Sequence, residues 1–237
     1  MKHHSPLQQE GGAPPVSSEP GVAAETPAID HPSVPESLAY RVSRRLFDLF
    51  FGSLILLLVA PVVPLLVAMV RLDSPGPVLY RQARVGQGGR RFMFYKFRSM
   101  YAGSDRKLEE LTARNEQSGP VFKMRDDPRI TPVGRFLRRS SLDEIPQILN
   151  VLKGDMSIVG PRPALPAEVA KYEPWQRRRL DARPGLTCLW QISGRSHIGF
   201  DEWMRLDLEY LRTRSLWTDA VILAKTVPAV MARRGAY

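Results

Sequence analysis

The chain has 237 residues, with 34 Lys and Arg against 24 Asp and Glu, four His and one Cys. It is long enough to bury a core of one or two domains, and a lone Cys188 excludes an intrachain disulfide. Three of the histidines (His3, His4, His31) precede residue 41, so His197 stands alone in the body and leaves little room for a Ser-His-Asp triad or a His-rich metal site.

Residues 1–40 hold seven prolines, one basic side chain (Lys2) and five acids, with no apolar periodicity. That composition reads as a disordered tail. The rest, 41–237, carries 33 basic and 19 acidic side chains, a net +14. A field of that sign calls for an anionic partner: nucleic acid, an anionic bilayer surface or a phosphorylated substrate.

No charged residue occurs from 49 to 70, LFFGSLILLLVAPVVPLLVAMV. A straight helix of that length extends about 33 Å, enough to span a hydrocarbon core. Pro61 and Pro64 argue for a break past its middle. Basic residues flank both ends, Arg41, Arg44 and Arg45 before, and Arg71, Arg81, Arg84, Arg90 and Arg91 after. Keeping both flanks on the cytoplasmic side requires a helix-break-helix that enters and leaves by one face. Physics alone leaves re-entrant and spanning topologies both open.

Two short strands are expected at 78–85 and 91–98 around the Gly-rich turn 86–89, which lacks the spacing of a dinucleotide or phosphate loop. Thr131-Pro132 signals a helix start, and Ser140-Ser141 a second helix running to Gly154. In that second helix Asp143 and Glu144 fall in the first turn, where free N–H groups favour anions and a divalent cation can bridge carboxylate to phosphate. The same letters, Ser141-x-x-Glu144, also spell a capping box, in which Glu144 only satisfies a backbone donor. Around the pair lie Lys123, Arg125, Arg129, Arg135, Arg138, Arg139 and Lys153, of which Arg135 and Arg139 read equally as a solvated face. Arg162, held between Pro161 and Pro163, either presents a guanidinium suited to a pyrophosphate or base edge or sits in a rigid loop that merely turns. Amphipathic segments at about 200–212 and 218–232 close the chain.

SLDEIPQILNVLKGDMSIVGPRP (141–163), YKFRSM (95–100) before it and RPGLTCLWQISGR (183–195) after it closely resemble the bacterial sugar transferases called monotopic phosphoglycosyl transferases, and the closing segment LWTDAVILAKTVPAVMARRGAY (216–237) resembles their exopolysaccharide-priming branch. The resemblance covers 41–237. It implies an α+β, mostly helical catalytic body at 73–237 with a short β-hairpin, and one re-entrant membrane helix at 41–72. It also implies transfer of a sugar-1-phosphate from a UDP-sugar to polyprenyl phosphate at the cytoplasmic face of the bacterial inner membrane. Asp143 then matches the nucleophile and Glu144 its catalytic partner, which either activates the acceptor or holds Mg²⁺ with Asp143; Arg138 matches a phosphate contact, and Pro161, Arg162 and Pro163, extended to Arg183, the nucleotide contacts. Pro61 and Pro64 mark the membrane break, although the family's Ser-Pro pair is Ala60-Pro61 here. On this reading nucleic acid is not a partner and self-association into a homo-oligomer is left open. The rival is a membrane-anchored basic binding protein without catalysis.

Overall fold

The computed structural model describes residues 37–194 and 198–231; residues 1–36 of the expected tail and His197 lie outside them. Ser37 accepts from the N–H of Tyr40 at 3.1 Å and caps helix α1 (Leu38–Val59), which therefore begins inside the stretch read as tail. After Ala60, Pro61 and Val62 the chain re-enters helix as α2 (Val63–Asp73), bent by 65° from α1. Pro61 sits in the break. Pro64 falls in the first turn of α2, where its missing N–H costs nothing, so it starts a helix rather than breaking one. Among the described residues no single helix is long and apolar enough to cross a membrane; the bent pair meets that test only taken together.

Helix α1 is two-faced in an unusual sense. Leu46, Phe50, Leu54, Leu57 and Leu58 are exposed, while Arg44, Asp48 and Gly52 face inward and are buried. Asp48 Oδ1 accepts from the Ile158 N–H at 2.8 Å and from Ser157 Oγ at 2.7 Å. Arg44 donates to Ser157 Oγ, the Val159 carbonyl and Tyr210 Oη. Arg45 donates to the carbonyls of Val151 and Leu152 at 2.7 and 2.6 Å, placing a cation on orphan carbonyls at a helix end. Two of the three arginines that precede the apolar run, read from the sequence as part of a topology signal, thus hold α1 to the body.

The hairpin forms as expected: β1 (Leu79–Val85) pairs antiparallel with β2 (Arg91–Phe97), Leu79 opposite Phe97 and Val85 opposite Arg91. A short helix α3 (Leu108–Leu111) follows. Then comes α4 (Pro132–Arg139), with Thr131 as N-cap accepting from the Gly134 N–H at 2.9 Å. The second expected helix differs. Ser141 takes a left-handed conformation (φ +57), residues Leu142–Gln147 wind as a 3₁₀ turn, and α5 (Ile148–Lys153) begins only afterwards, ending at Gly154 with φ +92. Pro146 explains the delay, since within a longer α-helix its ring would meet the preceding turn.

The chain continues through β3 (Ser157–Val159), α6 (Pro166–Ala170), α7 (Pro174–Arg177), β4 (Gly185–Thr187), α8 (Leu189–Ser193), α9 (Phe200–Thr213) and α10 (Leu216–Met231). Strands β3 and β4 pair in parallel, Ser157 with Gly185 and Val159 with Thr187. Gly160 and Gly185 approach so closely that a Cβ on either would collide with backbone of the other's segment. The fold is α+β and mostly helical, as expected. Its main core joins Phe94, Val151, Met156, Ile158, Tyr210 and Ile222, with Phe47, Phe51 and Ile55 of α1 packed against it. A second cluster sets Leu66 and Val70 of α2 on Phe97 and Leu137.

Candidate active site

The 3₁₀ turn that carries Asp143 and Glu144 runs into α5, which one side chain ties to the edge of β2. Asn150 donates through Nδ2 to the Met93 carbonyl at 2.7 Å and accepts through Oδ1 from the Tyr95 N–H at 3.2 Å, doing for β2 what a third strand would do. Lys96 of β2 and Asp143 consequently line one cavity. The capping box read from Ser141 and Glu144 does not form: the left-handed Ser141 makes no side-chain cap bond, and Glu144 Oε1 instead accepts from Arg162 Nη1 at 3.1 Å. A non-glycine residue at positive φ costs about 1–2 kcal/mol, and such strain gathers at working sites.

That cavity has a volume of about 310 Å³ and is lined by Lys96, Arg129, Arg138, Asp143, Glu144 and Arg162, with Trp190 and Trp203 on one wall. Arg138 is oriented by donating from Nε to Ser99 Oγ at 2.9 Å, and Arg129 is occupied by Asp127, Nη2 to Oδ2 at 2.7 Å. Lys96, Arg129, Arg138 and Arg162 also line an adjoining cavity of about 1020 Å³, whose further walls include Arg71, Arg81, Arg84 and Arg98. The large space beside the carboxylates is therefore cationic.

The Pro161-Arg162-Pro163 loop is held by its backbone. Arg179 Nη2 donates to the Arg162 carbonyl at 2.8 Å and Arg84 Nη1 to that of Pro163 at 3.0 Å, while the Gly185 N–H donates to the Pro161 carbonyl at 2.9 Å. Arg179 is itself 1% exposed, paired with Asp207 Oδ2 at 2.6 Å and bonded to Tyr172 Oη at 2.9 Å. Arg183 does not line either cavity; its segment braces the loop through the close contact of Gly160 and Gly185.

Electrostatics follow from this crowding. Burial first, and then the Glu144 charge, push the Asp143 carboxyl above its ordinary range, while Lys96, Arg138 and Arg162 pull the other way. Burial first, and then Arg138, push the Lys96 ammonium down to about 8. A cation that titrates near neutrality in a cleft beside a buried carboxylate is a mark of a reacting site.

Asp143, Glu144, Arg138 and Arg162 are thus brought together. Lys96, Arg179 and Asp207 escaped the sequence reading. Lys96 stood in view inside YKFRSM, where strand alternation puts it on the opposite face from Tyr95. Arg179 lies in the basic run of residues 177–179, and nothing local announces a partner 28 positions away.

A family model described as bacterial sugar transferase matches residues 39–233. The chain is 44% identical over 211 residues to "Undecaprenyl-phosphate galactose phosphotransferase" of Salmonella typhimurium, covering 86% of this chain and 44% of that protein. It is 42% identical over 200 residues to "Exopolysaccharide production protein ExoY" of Rhizobium meliloti, 83% of this chain and 88% of that one. To "UDP-glucose:undecaprenyl-phosphate glucose-1-phosphate transferase" of Escherichia coli it is 38% identical over 242 residues, 99% of this chain and 47% of that one. The chain spans about half the length of the first and third of these relatives. With a match over most of its length and an arginine-lined carboxylate pair at the centre of it, the chain belongs to the bacterial sugar transferase family.

Proposed function

We propose that the protein moves a sugar-1-phosphate from a UDP-sugar to polyprenyl phosphate, releasing UMP and starting a surface glycan. The observation that carries this reading is the buried Asp143 in a cavity shared with Lys96, Arg138 and Arg162. A carboxylate raised in basicity by burial is a stronger nucleophile once ionised, and three cations offset the charge of an incoming diphosphate. An Asp143 oxygen attacks the phosphorus bearing the sugar; the bond to UMP breaks, and the electron pair leaves on the UMP phosphate. An oxygen of the ionised acceptor phosphate then attacks the same phosphorus and the Asp143 carboxylate departs, so no proton need move.

Magnesium fits the donor set. Asp143 and Glu144 are adjacent carboxylates, and among the described residues no group of three His, Cys, Asp or Glu gathers to form an all-protein cage. One or two carboxylates completed by phosphate oxygens and water is the usual Mg²⁺ arrangement. When bound there it would neutralise diphosphate charge.

The relatives' names speak of undecaprenyl phosphate, and the exposed apolar face of α1 agrees with a lipid acceptor. On this reading α1 and α2 dip into the inner membrane from the cytoplasmic side and return, with 73–237 forming the cytoplasmic catalytic domain. The test is a rapid quench without lipid. A suitable UDP-sugar and Mg²⁺ should give UMP in an amount limited by enzyme and a phosphosugar adduct on Asp143, both abolished in Asp143→Asn. UMP release that strictly requires lipid, with no adduct, would overturn the two-step course.

A further inference from the structure

A third cavity adjoins the site, and among the described residues no arginine lines it. It is a cleft of about 360 Å³ between Ile55 and Val59 at the end of α1, Leu223, Val227 and Val230 of α10, and Ile192 of α8. Ser141, Glu144 and Gln191 line both this cleft and the cavity holding Asp143, so the two adjoin at these side chains. Among the described residues Glu144 is the only charged side chain lining the cleft, and that charge is engaged by Arg162. Beside it, Leu54, Leu57 and Leu58 of α1 and Val227 of α10 are exposed, so its mouth adjoins the apolar surface of the bent helix pair.

The two approaches to the carboxylates differ in charge: seven arginines and Lys96 line the wide one beside apolar walls such as Leu79 and Leu108, and among the described residues no cation lines the cleft. A nucleoside diphosphate suits the wide space walled by arginines and would leave its charges unpaired in the apolar cleft. A hydrocarbon has the reverse preference. We propose that this cleft seats the first isoprene units of the polyprenyl acceptor and delivers its phosphate past Ser141 to Glu144 and Asp143, while the donor occupies the cationic side. The inference rests on the proposed transfer to a lipid acceptor and adds where that acceptor lies. Entry by two different cavities also lets the nucleotide leave before the lipid attacks.

The test uses the full chain in nanodiscs with polyprenyl phosphate carrying a diazirine on the isoprene unit nearest the phosphate. Photolysis followed by peptide mass spectrometry should place the label on residues 55–59 and 223–230. Label on Leu79, Leu108 or other walls of the cationic cavity would overturn the assignment, as would label that excess phosphatidylglycerol removes, since the cleft would then hold bulk lipid. Val227→Trp and Val59→Trp, which fill the cleft from its two walls, should each raise KM for polyprenyl phosphate by about tenfold or more and leave KM for the UDP-sugar unchanged. Unchanged lipid KM in both would sink the idea. Labelling needs no turnover, so it is read separately from a failure of sugar-phosphate transfer itself, which would count against the proposed function instead.

Discussion

Arg179 donates through Nη2 to the backbone carbonyl of Arg162 at 2.8 Å, so a buried cation with no face on solvent sets the path of the loop that presents an accessible one. Its second anchor is Asp207 of α9 at 2.6 Å. Arg179 therefore acts on the site through Arg162 and touches no reacting group.

Arg179→Lys keeps the charge beside Asp207 but cannot reproduce a fork that bonds Asp207, Tyr172 and the Arg162 carbonyl together. A lost bond from a charged donor is worth about 1.5–3 kcal/mol, so kcat/KM for the UDP-sugar should fall roughly tenfold or more, chiefly through KM. Steady-state kinetics beside an unfolding curve separate this from Asp207→Asn. That variant strands a buried guanidinium and should cost about 3–5 kcal/mol of stability.

Lys96, at about 8, predicts an alkaline limb. Below that pH the ammonium is charged and helps offset the donor diphosphate; above it the charge is lost, so kcat/KM should decline as pH rises through about 8. Lys96→Arg should move this limb upward even where absolute activity drops. On the proposed course, in which protonation of Asp143 would remove its nucleophile, the metal-free protein should bind its first proton at Asp143 above the range of a free aspartate. A pH profile of kcat/KM flat between 7 and 9 in the native protein would remove Lys96 from this role.

Asp48 holds the Ile158 N–H and Ser157 Oγ at 2.8 and 2.7 Å in a fully buried position. Asp48→Ala leaves a buried backbone donor without its acceptor and should lower stability by about 1–3 kcal/mol, or more with the adjacent Arg44. Asp48→Asn retains an oxygen for the Ile158 N–H and should lose less. Denaturant unfolding in detergent, followed by tryptophan fluorescence, orders the three proteins.

The two prolines should behave differently. Pro61→Ala restores a donor inside the break and removes the ring clash, and should let part of the population straighten. Pro64→Ala alters only a helix first turn and should leave the bend intact. Single cysteines near 40 and 75 in a Cys188→Ser background, labelled with an impermeant maleimide, should both react from the cytoplasmic side in the native chain. A shift in Pro64→Ala equal to that in Pro61→Ala would show that packing of Leu66 and Val70 on Phe97 and Leu137 has no part in fixing α2.

What was legible in the sequence was what local chemistry decides. Alternation around a Gly-rich turn gave the hairpin, and Thr131-Pro132 gave α4 to the residue. The motif around Asp143 and Arg162 led to the site before any geometry. The capping box failed because its letters assume an extended backbone at Ser141, whereas tertiary packing puts Ser141 in the left-handed region and lends Glu144 to Arg162. The parallel pair β3 and β4 was invisible, since each strand has three residues and their partners stand 28 positions apart. Lys96 was hidden by its setting: a lysine in a strand reads as solvated until the turn carrying Asp143 is seen to lie over it.

The inward-facing Arg44 and Asp48 make α1 a structural member of the body. A soluble fragment begun after residue 74 would not be a trimmed enzyme. It would bare Ile158, Val151 and Phe94 where Phe47, Phe51 and Ile55 had covered them, and would leave the β3 backbone short of an acceptor. Biosynthetically, the order of events is then constrained: α1 must wait, already placed, for a strand made more than a hundred residues later to close upon it.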